Sequence, residues 1–293
     1  MRFHSAQWEH EHDLAGKRIG VIGTGGSAFQ FVPILAEEAA SVTVFQRTPP
    51  WIVPNENYFQ EVPAGKHWLL RHVPFYAKWF RFNMFWRSAE GLLQSVTAEE
   101  GWHRPEESVS EANQVFREAL LENLQETLGD RPDLLEKCTP HYPPGAKRAL
   151  IDDGKYLRSL KRDNVHLLTD GIDAITAGGV RSADGTEYEF DVLIYGTGFK
   201  ASSFLFPMKI FGRDGRELQE VWQGDPQAFK GVNVPGFPNF FCCYGPNTNI
   251  VVNGSIVFFS ECEVRYILGC LALLMQSNSQ GLDVKQDVHE HYN

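Results

Sequence analysis

One stretch decides the fold of this chain: Lys17-Arg18-Ile19-Gly20-Val21-Ile22-Gly23-Thr24-Gly25-Gly26-Ser27-Ala28. Its first half predicts a β-strand over 19–22 that runs into a glycine-rich turn. Apolar residues at helical spacing then predict a helix that includes 31–35, and the run SVTVF at 41–45 predicts a second strand. Strand, turn, helix and strand together form one right-handed βαβ unit.

The turn fits the dinucleotide-binding pattern Gly-x-Gly-x-x-Gly/Ala. Gly23 permits the tight turn, Gly25 lets the backbone approach a pyrophosphate, and Ala28 lets the helix pack closely on the sheet. The helix N-terminus then favours the anion through free N–H groups and the helix dipole. A purely structural glycine turn is the alternative. The remaining predicted cofactor-binding residues of this segment are Thr24, Gly26, Ser27 and Gln30.

The end of the second strand predicts the choice of nucleotide. An NAD site usually has an acidic residue there for the ribose 2′-hydroxyl, whereas this chain has Gln46-Arg47-Thr48-Pro49. The guanidinium of Arg47 and the hydroxyl of Thr48 suit a 2′-phosphate, with a solvated surface arginine as the alternative. The sequence therefore predicts NADP rather than NAD.

Composition limits the function classes. The 293 residues carry 27 Lys and Arg against 37 Asp and Glu, a net charge of −10, which argues against a nucleic-acid partner. The five cysteines, with Cys242 and Cys243 adjacent, predict free thiols in a reducing compartment. No secretory signal is visible, and the apolar run 266–275 is too short to span a bilayer. We expect a cytoplasmic protein of about two domains.

A helical insertion interrupts the α/β pattern over 55–138. The pattern Ser108-Val109-Ser110-Glu111 predicts a capping box that opens a helix ending at Leu128. Earlier in the insertion, basic and aromatic residues alternate over 71–87. We expect these aromatic side chains to pack in the core of the insertion rather than contact a membrane. The alternatives are a lipid surface and the stacking of nucleic-acid bases.

The α/β pattern resumes after the insertion. We predict a strand at 165–168, short antiparallel strands around the turns Gly178-Gly179 and Asp184-Gly185, and a buried strand over 190–195. A further strand is predicted at 240–244 and a long helix at 260–276.

Several motifs together resemble the class B flavoprotein monooxygenases. They are residues 23–28, the stretch 45–49 and Tyr195-Gly196-Thr197-Gly198-Phe199, extended by 244–249 and 260–266. Within that class the chain is most similar to Baeyer–Villiger monooxygenases, near the 4-hydroxyacetophenone monooxygenase branch. Phe3-His4-Ser5-x-x-Trp8 resembles the latter part of the Baeyer–Villiger fingerprint, with Glu9 in place of the usual proline.

The resemblance implies a reaction and its cofactors. NADPH would reduce FAD, and a flavin peroxide would insert one oxygen atom of O2 into a ketone or oxidise a sulfide or amine. Arg148 matches the family's catalytic arginine near the flavin, and Lys147 matches a position near the NADP phosphate. Gly196, Thr197 and Gly198 match a second nucleotide-contacting glycine motif. Asn247 matches a loop that approaches the flavin, although a turn-forming role is the alternative.

The resemblance also implies an α/β fold with a Rossmann-like NADP-binding domain, a helical insertion and the C-terminal part of an FAD-binding domain. We assign 1–13 to a linker remnant, 14–54 and 139–190 to the NADP-binding domain, 55–138 to the insertion and 191–293 to the partial FAD-binding domain. The family's first glycine motif, for FAD, is not found, so we expect a chain truncated at both ends.

Two alternatives to an active monooxygenase stay open. The chain could be a non-catalytic NADP-binding module, stranded by truncation or serving a separate flavin subunit. An NADP-dependent dehydrogenase without flavin ranks last, because no Tyr-x-x-x-Lys pair follows the glycine turn. We predict no metal site, because His4, His10 and His12 lack a further ligand at a fixed spacing.

Overall fold

The computed structural model describes residues 1–201, 203–250 and 254–293. Its first elements are β1 (Arg2–His4), β2 (Arg18–Ile22), α1 (Gly26–Glu38), β3 (Ser41–Phe45), β4 (Ile52–Pro54), α2 (Ala64–His72), α3 (Tyr76–Ser88), α4 (Glu90–Leu93), α5 (Glu111–Leu128) and α6 (Pro132–Cys138). They continue with β5 (Leu150–Asp152), α7 (Lys155–Leu160), β6 (Val165–Leu168), β7 (Ile172–Ile175), β8 (Gly179–Ser182), β9 (Glu187–Glu189), β10 (Val192–Tyr195), α8 (Leu218–Trp222), α9 (Ile256–Ser277) and α10 (Gln286–Tyr292).

The chain divides into two compact units. One comprises Met1–Asn83 and Glu90–Gly198, and the other comprises Met84–Ala89 and Phe199–Asn293. The first unit contains a five-stranded sheet in the order β1-β10-β2-β3-β6, and every pairing in it is parallel. The predicted α/β class is confirmed.

The register of this sheet positions the glycine turn. Ile22 lies opposite both Tyr195 and Phe45, so β10, β2 and β3 end at one level. The segments that follow these strands therefore meet at one edge of the sheet, where α/β folds bind ligands. The predicted strand–turn–helix–strand unit is present as β2, α1 and β3.

The core of the first unit lies between this sheet and its helices. Apolar side chains of β2 and β3 are fully buried, as β-branched residues in a parallel sheet covered on both faces are expected to be. The ring of Phe29 in α1 stacks on that of Tyr156 in α7, with centroids 4.6 Å apart. Each such buried side chain contributes roughly 1.5–3 kcal/mol relative to an exposed one.

Two sequence-based boundaries differ from the structure. Residues 2–4, which we assigned to a linker, form the edge strand β1, and the Met1 amino group donates to the Asp191 carbonyl at 3.0 Å. Residues 191–198, which we assigned to the partial FAD-binding domain, lie in the first unit because β10 pairs with β2. Both differences come from pairings between residues far apart in sequence.

The helical insertion differs from the sequence interpretation in two respects. Helix α5 begins at Glu111 rather than after Ser108, because the Ser110 hydroxyl accepts from the Asn113 N–H and the Asn113 side chain accepts from the Val109 N–H. The predicted end at Leu128 is confirmed. The aromatic residues of α2 and α3 do not enter a core, since no residue of either helix is buried.

The second unit has its own small core of Leu218, Trp222, Ala228, Val234 and Phe237. Helix α9 contains the predicted helix 260–276 and begins four residues earlier. The predicted strand at 240–244 is wrong, because its backbone makes single hydrogen bonds to a loop, such as Cys242 N–H to the Val232 carbonyl at 2.8 Å. Among the described residues, no helix is both long and apolar enough to cross a membrane.

Candidate functional site

The first glycine of the turn is fixed by the neighbouring strand end. Gly23 has φ +105°, in the left-handed region, and its N–H donates to the Phe45 carbonyl at 2.9 Å. A Cβ at this position would lie 2.5 Å from the Gly196 carbonyl oxygen. Both the backbone conformation and the available space therefore demand glycine here.

The second glycine motif packs directly on the first. The Gly196 N–H donates to the Ile22 carbonyl at 2.9 Å, and a Cβ on Gly196 would lie 3.2 Å from the Cβ of Ala28. The small third position of the pattern thus serves close packing of α1 against β10. Thr197 and Gly198 follow as exposed residues, with Gly198 at φ +88°.

The N-terminus of α1 is open. Gly25 is the N-cap residue, no side chain caps the helix, and a Cβ on Gly25 would meet no atom within 4 Å. Gly25 and Gly26 are exposed and Ser27 is half-buried. Uncapped N–H groups that face open space fit a pyrophosphate. They supply hydrogen-bond donors and the positive end of the helix dipole, and no described side chain blocks the approach of the anion. Gln30 lies on the exposed surface of α1.

A hydrogen bond joins the glycine turn to the segment after β3. The buried Thr24 hydroxyl donates to the Thr48 carbonyl at 3.4 Å. Arg47 is exposed and makes no hydrogen bond or ion pair with any described residue, so its guanidinium is available to an anion. Gln46 has a structural role instead, because its buried amide donates to the Lys137 carbonyl at 2.7 Å.

Tyr142 connects Lys147 to the same segment, and the sequence analysis missed it. The Lys147 ammonium lies 4.7 Å from the centroid of the Tyr142 ring, and the Tyr142 hydroxyl donates to the Pro49 carbonyl at 3.0 Å. Burial raises the pKa of Tyr142, which keeps the phenol protonated as a donor. A tyrosine in a Pro- and Gly-rich loop carries no sequence signal for this contact.

Arg148 lies in an exposed position just before β5. Leu150 anchors the strand through its N–H to the Trp51 carbonyl at 2.8 Å, and its Cδ2 lies 3.8 Å from the position of a Cβ on Gly26. The loop that carries Lys147 and Arg148 is held by Asn113, whose buried amide donates to the Pro144 carbonyl at 2.9 Å. This loop therefore borders the glycine turn.

Asn247 belongs to the second unit. It is exposed at φ +62°, inside a turn in which the Thr248 hydroxyl donates to the Gly245 carbonyl at 2.8 Å. The buried Glu263 carboxylate supports the start of this loop by accepting from the Tyr244 N–H at 2.8 Å. All other predicted site residues lie in the first unit.

The fingerprint residues near the start of the chain pack on α1. The ring centroids of Phe3 and Trp8 are 5.3 Å apart, and those of Trp8 and Phe31 are 5.1 Å apart, both in edge-on contact. Phe3 is buried in the core of the first unit. The aromatic spacing of this motif therefore attaches β1 to the helix that follows the glycine turn.

A carboxylate and imidazole cluster lies in the loop after β1. Potential ligand atoms of Glu9, Glu11 and His12 lie within 4.8 Å of one another, and the His12 imidazole is 2.9 Å from the Glu9 carboxylate. Glu11 and His12 are exposed. The Glu9–His12 contact accounts for the arrangement, and the prediction of no metal site stays a prediction.

Known proteins resemble the chain along almost its whole length. It is 36% identical over 291 residues to a Baeyer–Villiger monooxygenase of Pseudomonas aeruginosa, covering 99% of this chain and 52% of that protein. It is 35% identical over 291 residues to an uncharacterized monooxygenase of Sinorhizobium fredii, covering 44% of that protein. The chain thus spans about half the length of these curated relatives. No protein-family model matches it.

Solved structures resemble the fold. A cyclohexanone monooxygenase mutant from Rhodococcus bound to NADP+ matches with a TM-score of 0.79 and 27% identity, covering 99% of this chain and 59% of that one. An oxidized steroid monooxygenase bound to NADP matches with a TM-score of 0.76 and 29% identity, covering 99% and 60%. The enzyme OTEMO in complex with FAD and NADP matches with a TM-score of 0.77 and 26% identity, covering 99% and 59%.

Proposed function

We propose that this chain belongs to the Baeyer–Villiger family of flavin-dependent monooxygenases. On this proposal it binds NADPH at the glycine turn and serves FAD-dependent oxygenation of a small ketone, sulfide or amine by O2. The narrower likeness to the 4-hydroxyacetophenone branch stays a prediction. Relatives and neighbours support the cofactor pair, because a homologue from Aspergillus niger is named an FAD-binding monooxygenase and OTEMO was crystallised with both cofactors.

One observation carries the nucleotide assignment: the helix N-terminus at Gly25 is uncapped, and the preceding Thr24 bonds to Thr48, the neighbour in sequence of the exposed Arg47. Arg47 has no ion-pair partner in the described chain. The N–H groups of Gly25, Gly26 and Ser27 would hold the pyrophosphate. Arg47, with Thr48 and the ammonium of Lys147, would hold the 2′-phosphate. The Thr24–Thr48 hydrogen bond joins the glycine turn to the segment that carries Arg47. The Tyr142–Pro49 hydrogen bond joins the loop that carries Lys147 to the same segment.

Arg148 is the residue to which we assign the catalytic role. When bound, the nicotinamide supplies a hydride and the flavin activates O2. The guanidinium of Arg148, which has no acidic partner among the described residues, would stabilise negative charge that develops on oxygen. We assign Thr197 and Gly198 to nucleotide contacts and, in the second unit, Asn247 to a flavin contact. Each is exposed, so its polar atoms or backbone are accessible to a cofactor.

The substitution Arg47→Ala tests the nucleotide assignment. We expect NADPH affinity to fall about ten- to a hundredfold, the usual effect of losing a hydrogen bond to a charged group, while NADH affinity stays the same. Titration of the purified chain with each nucleotide, followed by fluorescence or calorimetry, measures both values. Arg162→Ala is the matched control, because Arg162 is equally exposed and forms no side-chain contact with the described residues.

Equal losses for NADPH and NADH would contradict the 2′-phosphate assignment, since the 2′-hydroxyl of NADH offers no charge to Arg47. An effect of the same size from Arg162→Ala would show that general surface charge, rather than this position, determines the affinity.

A further inference from the structure

The turn between α2 and α3 carries exposed aromatic and basic side chains on one surface. We call it the basic-aromatic surface and define it by Trp68, Arg71, Phe75, Lys78, Trp79 and Phe82. Phe75 is 69% exposed and Trp79 is 68% exposed, so two large apolar side chains near one turn face solvent. No described residue of α2 or α3 is buried, so these aromatic residues lie outside the core of the described chain.

Two of the aromatic side chains share a helix face. Trp79 and Phe82 are three residues apart on α3, which places them on one side of that helix, and Phe75 directly precedes it. The rings of Trp79 and Phe82 meet edge-on with centroids 5.7 Å apart. Phe75 has φ +62°, a left-handed conformation that is costly for a bulky residue. The backbone therefore turns at Phe75, just before α3 begins.

The local charge is opposite to that of the whole chain. Residues 62–83 contain no Asp or Glu and four permanent cations, Lys66, Arg71, Lys78 and Arg81, in a protein with a net charge of −10. A groove of about 430 Å³ at the turn is lined by Arg71, Phe75 and Lys78 among others. The Lys78 ammonium lies 5.7 Å from the centroid of the Phe75 ring, so cations and aromatic rings are adjacent in this groove.

We propose that the basic-aromatic surface docks on an anionic lipid bilayer. The aromatic rings would enter the boundary between headgroups and acyl chains, and Arg71 and Lys78 would contact lipid phosphates. A bilayer accommodates both features at once, because it offers apolar volume beneath a layer of negative charge. Peripheral docking of this kind needs no membrane-crossing helix. The proposal is independent of the nucleotide site, and it replaces our expectation of a core-packed insertion without membrane contact.

Co-sedimentation with vesicles tests the proposal on the whole chain. We expect binding to vesicles of equal parts phosphatidylserine and phosphatidylcholine, weak binding to phosphatidylcholine alone, and loss of binding at high salt. The double variant Arg71→Glu/Lys78→Glu and the double variant Trp79→Ser/Phe82→Ser should each weaken vesicle binding by at least about tenfold. NADPH affinity should remain at the wild-type value in both, which reports that each variant is folded.

Matched controls come from the second unit. Lys209→Glu changes an exposed cation, and Phe211→Ser removes an aromatic ring that is 60% exposed, so both should leave vesicle binding unchanged. Three results would overturn the proposal: wild-type chain that stays in the supernatant with both vesicle types, variants that bind as wild type does, or stronger binding to a single-stranded oligonucleotide than to the anionic vesicles. A failure here leaves the NADPH titrations unaffected, so it is distinguishable from a failure of the proposed function.

Discussion

At the scale of single residues, the site depends on the absence of side chains. Gly23, Ala28 and Gly196 approach one another so closely that a Cβ on either glycine would meet a neighbour at 2.5 or 3.2 Å. This contact brings the ends of β2 and β10 and the start of α1 together. The glycine pattern in the sequence predicted the turn, but only the structure shows that the second glycine motif supplies the surface against which the first one packs.

The substitution Gly23→Ala should destabilise the fold. An alanine would have to adopt φ +105° with its Cβ against the Gly196 carbonyl, so we expect the free energy of unfolding to fall by roughly 1–3 kcal/mol. Urea denaturation followed by circular dichroism measures it. Gly178→Ala is the control, because a Cβ on that exposed glycine would meet no atom within 4 Å and its backbone is not left-handed. Equal midpoints for the two variants would contradict the packing account.

At the scale of elements, the start of α5 positions the loop that carries Lys147 and Arg148. Asn113 is fully buried, and its amide donates to the carbonyls of Ser95 and Pro144 while its oxygen accepts from the Val109 N–H. Helix capping and loop placement thus depend on the same side chain. The capping box that the sequence predicts over 108–111 assigns no role to Asn113.

Replacement of Asn113 should therefore cost more than replacement of the N-cap residue itself. We expect Asn113→Ala to lower the free energy of unfolding by about 2–3 kcal/mol, because it leaves buried backbone groups without partners. Ser110→Ala should cost about 1 kcal/mol, the usual loss of a helix N-cap. Thermal or urea unfolding of the two variants compares them. A smaller loss for Asn113→Ala than for Ser110→Ala would show that the Pro144 contact contributes nothing.

Local pattern was sufficient for some elements and insufficient for others. Period and glycine placement predicted β2, α1, β3 and β6, because these elements are specified by residues adjacent in sequence. The run at 240–244 has the composition of a strand, yet no strand within the described residues pairs with it, so it forms a loop. A strand needs a partner, and the partner is not encoded in the run itself.

At the scale of the whole molecule, burial and distant pairing were the properties that the sequence could not supply. The pairing of β1 with β10 places Arg2 opposite Leu193, two residues that are far apart in sequence. The aromatic residues of α3 have the spacing of a core-facing stripe, and only the structure shows that they are exposed. Tyr142 contacts Lys147 and bonds to Pro49, which is 93 residues away in sequence. No local motif predicts this long-range contact.

The central claim is that the uncapped start of α1 binds the pyrophosphate of NADPH, and NADPH titration of the Gly25→Asp variant tests it most directly. The space around Gly25 accommodates the side chain, and aspartate is a favourable N-cap residue, so thermal stability should stay equal or rise. Its carboxylate would occupy the anion position and repel the pyrophosphate. We predict that NADPH affinity falls by at least about a hundredfold, while the control Gly178→Asp binds as wild type does. NADPH affinity unchanged in a stably folded Gly25→Asp variant would contradict the account.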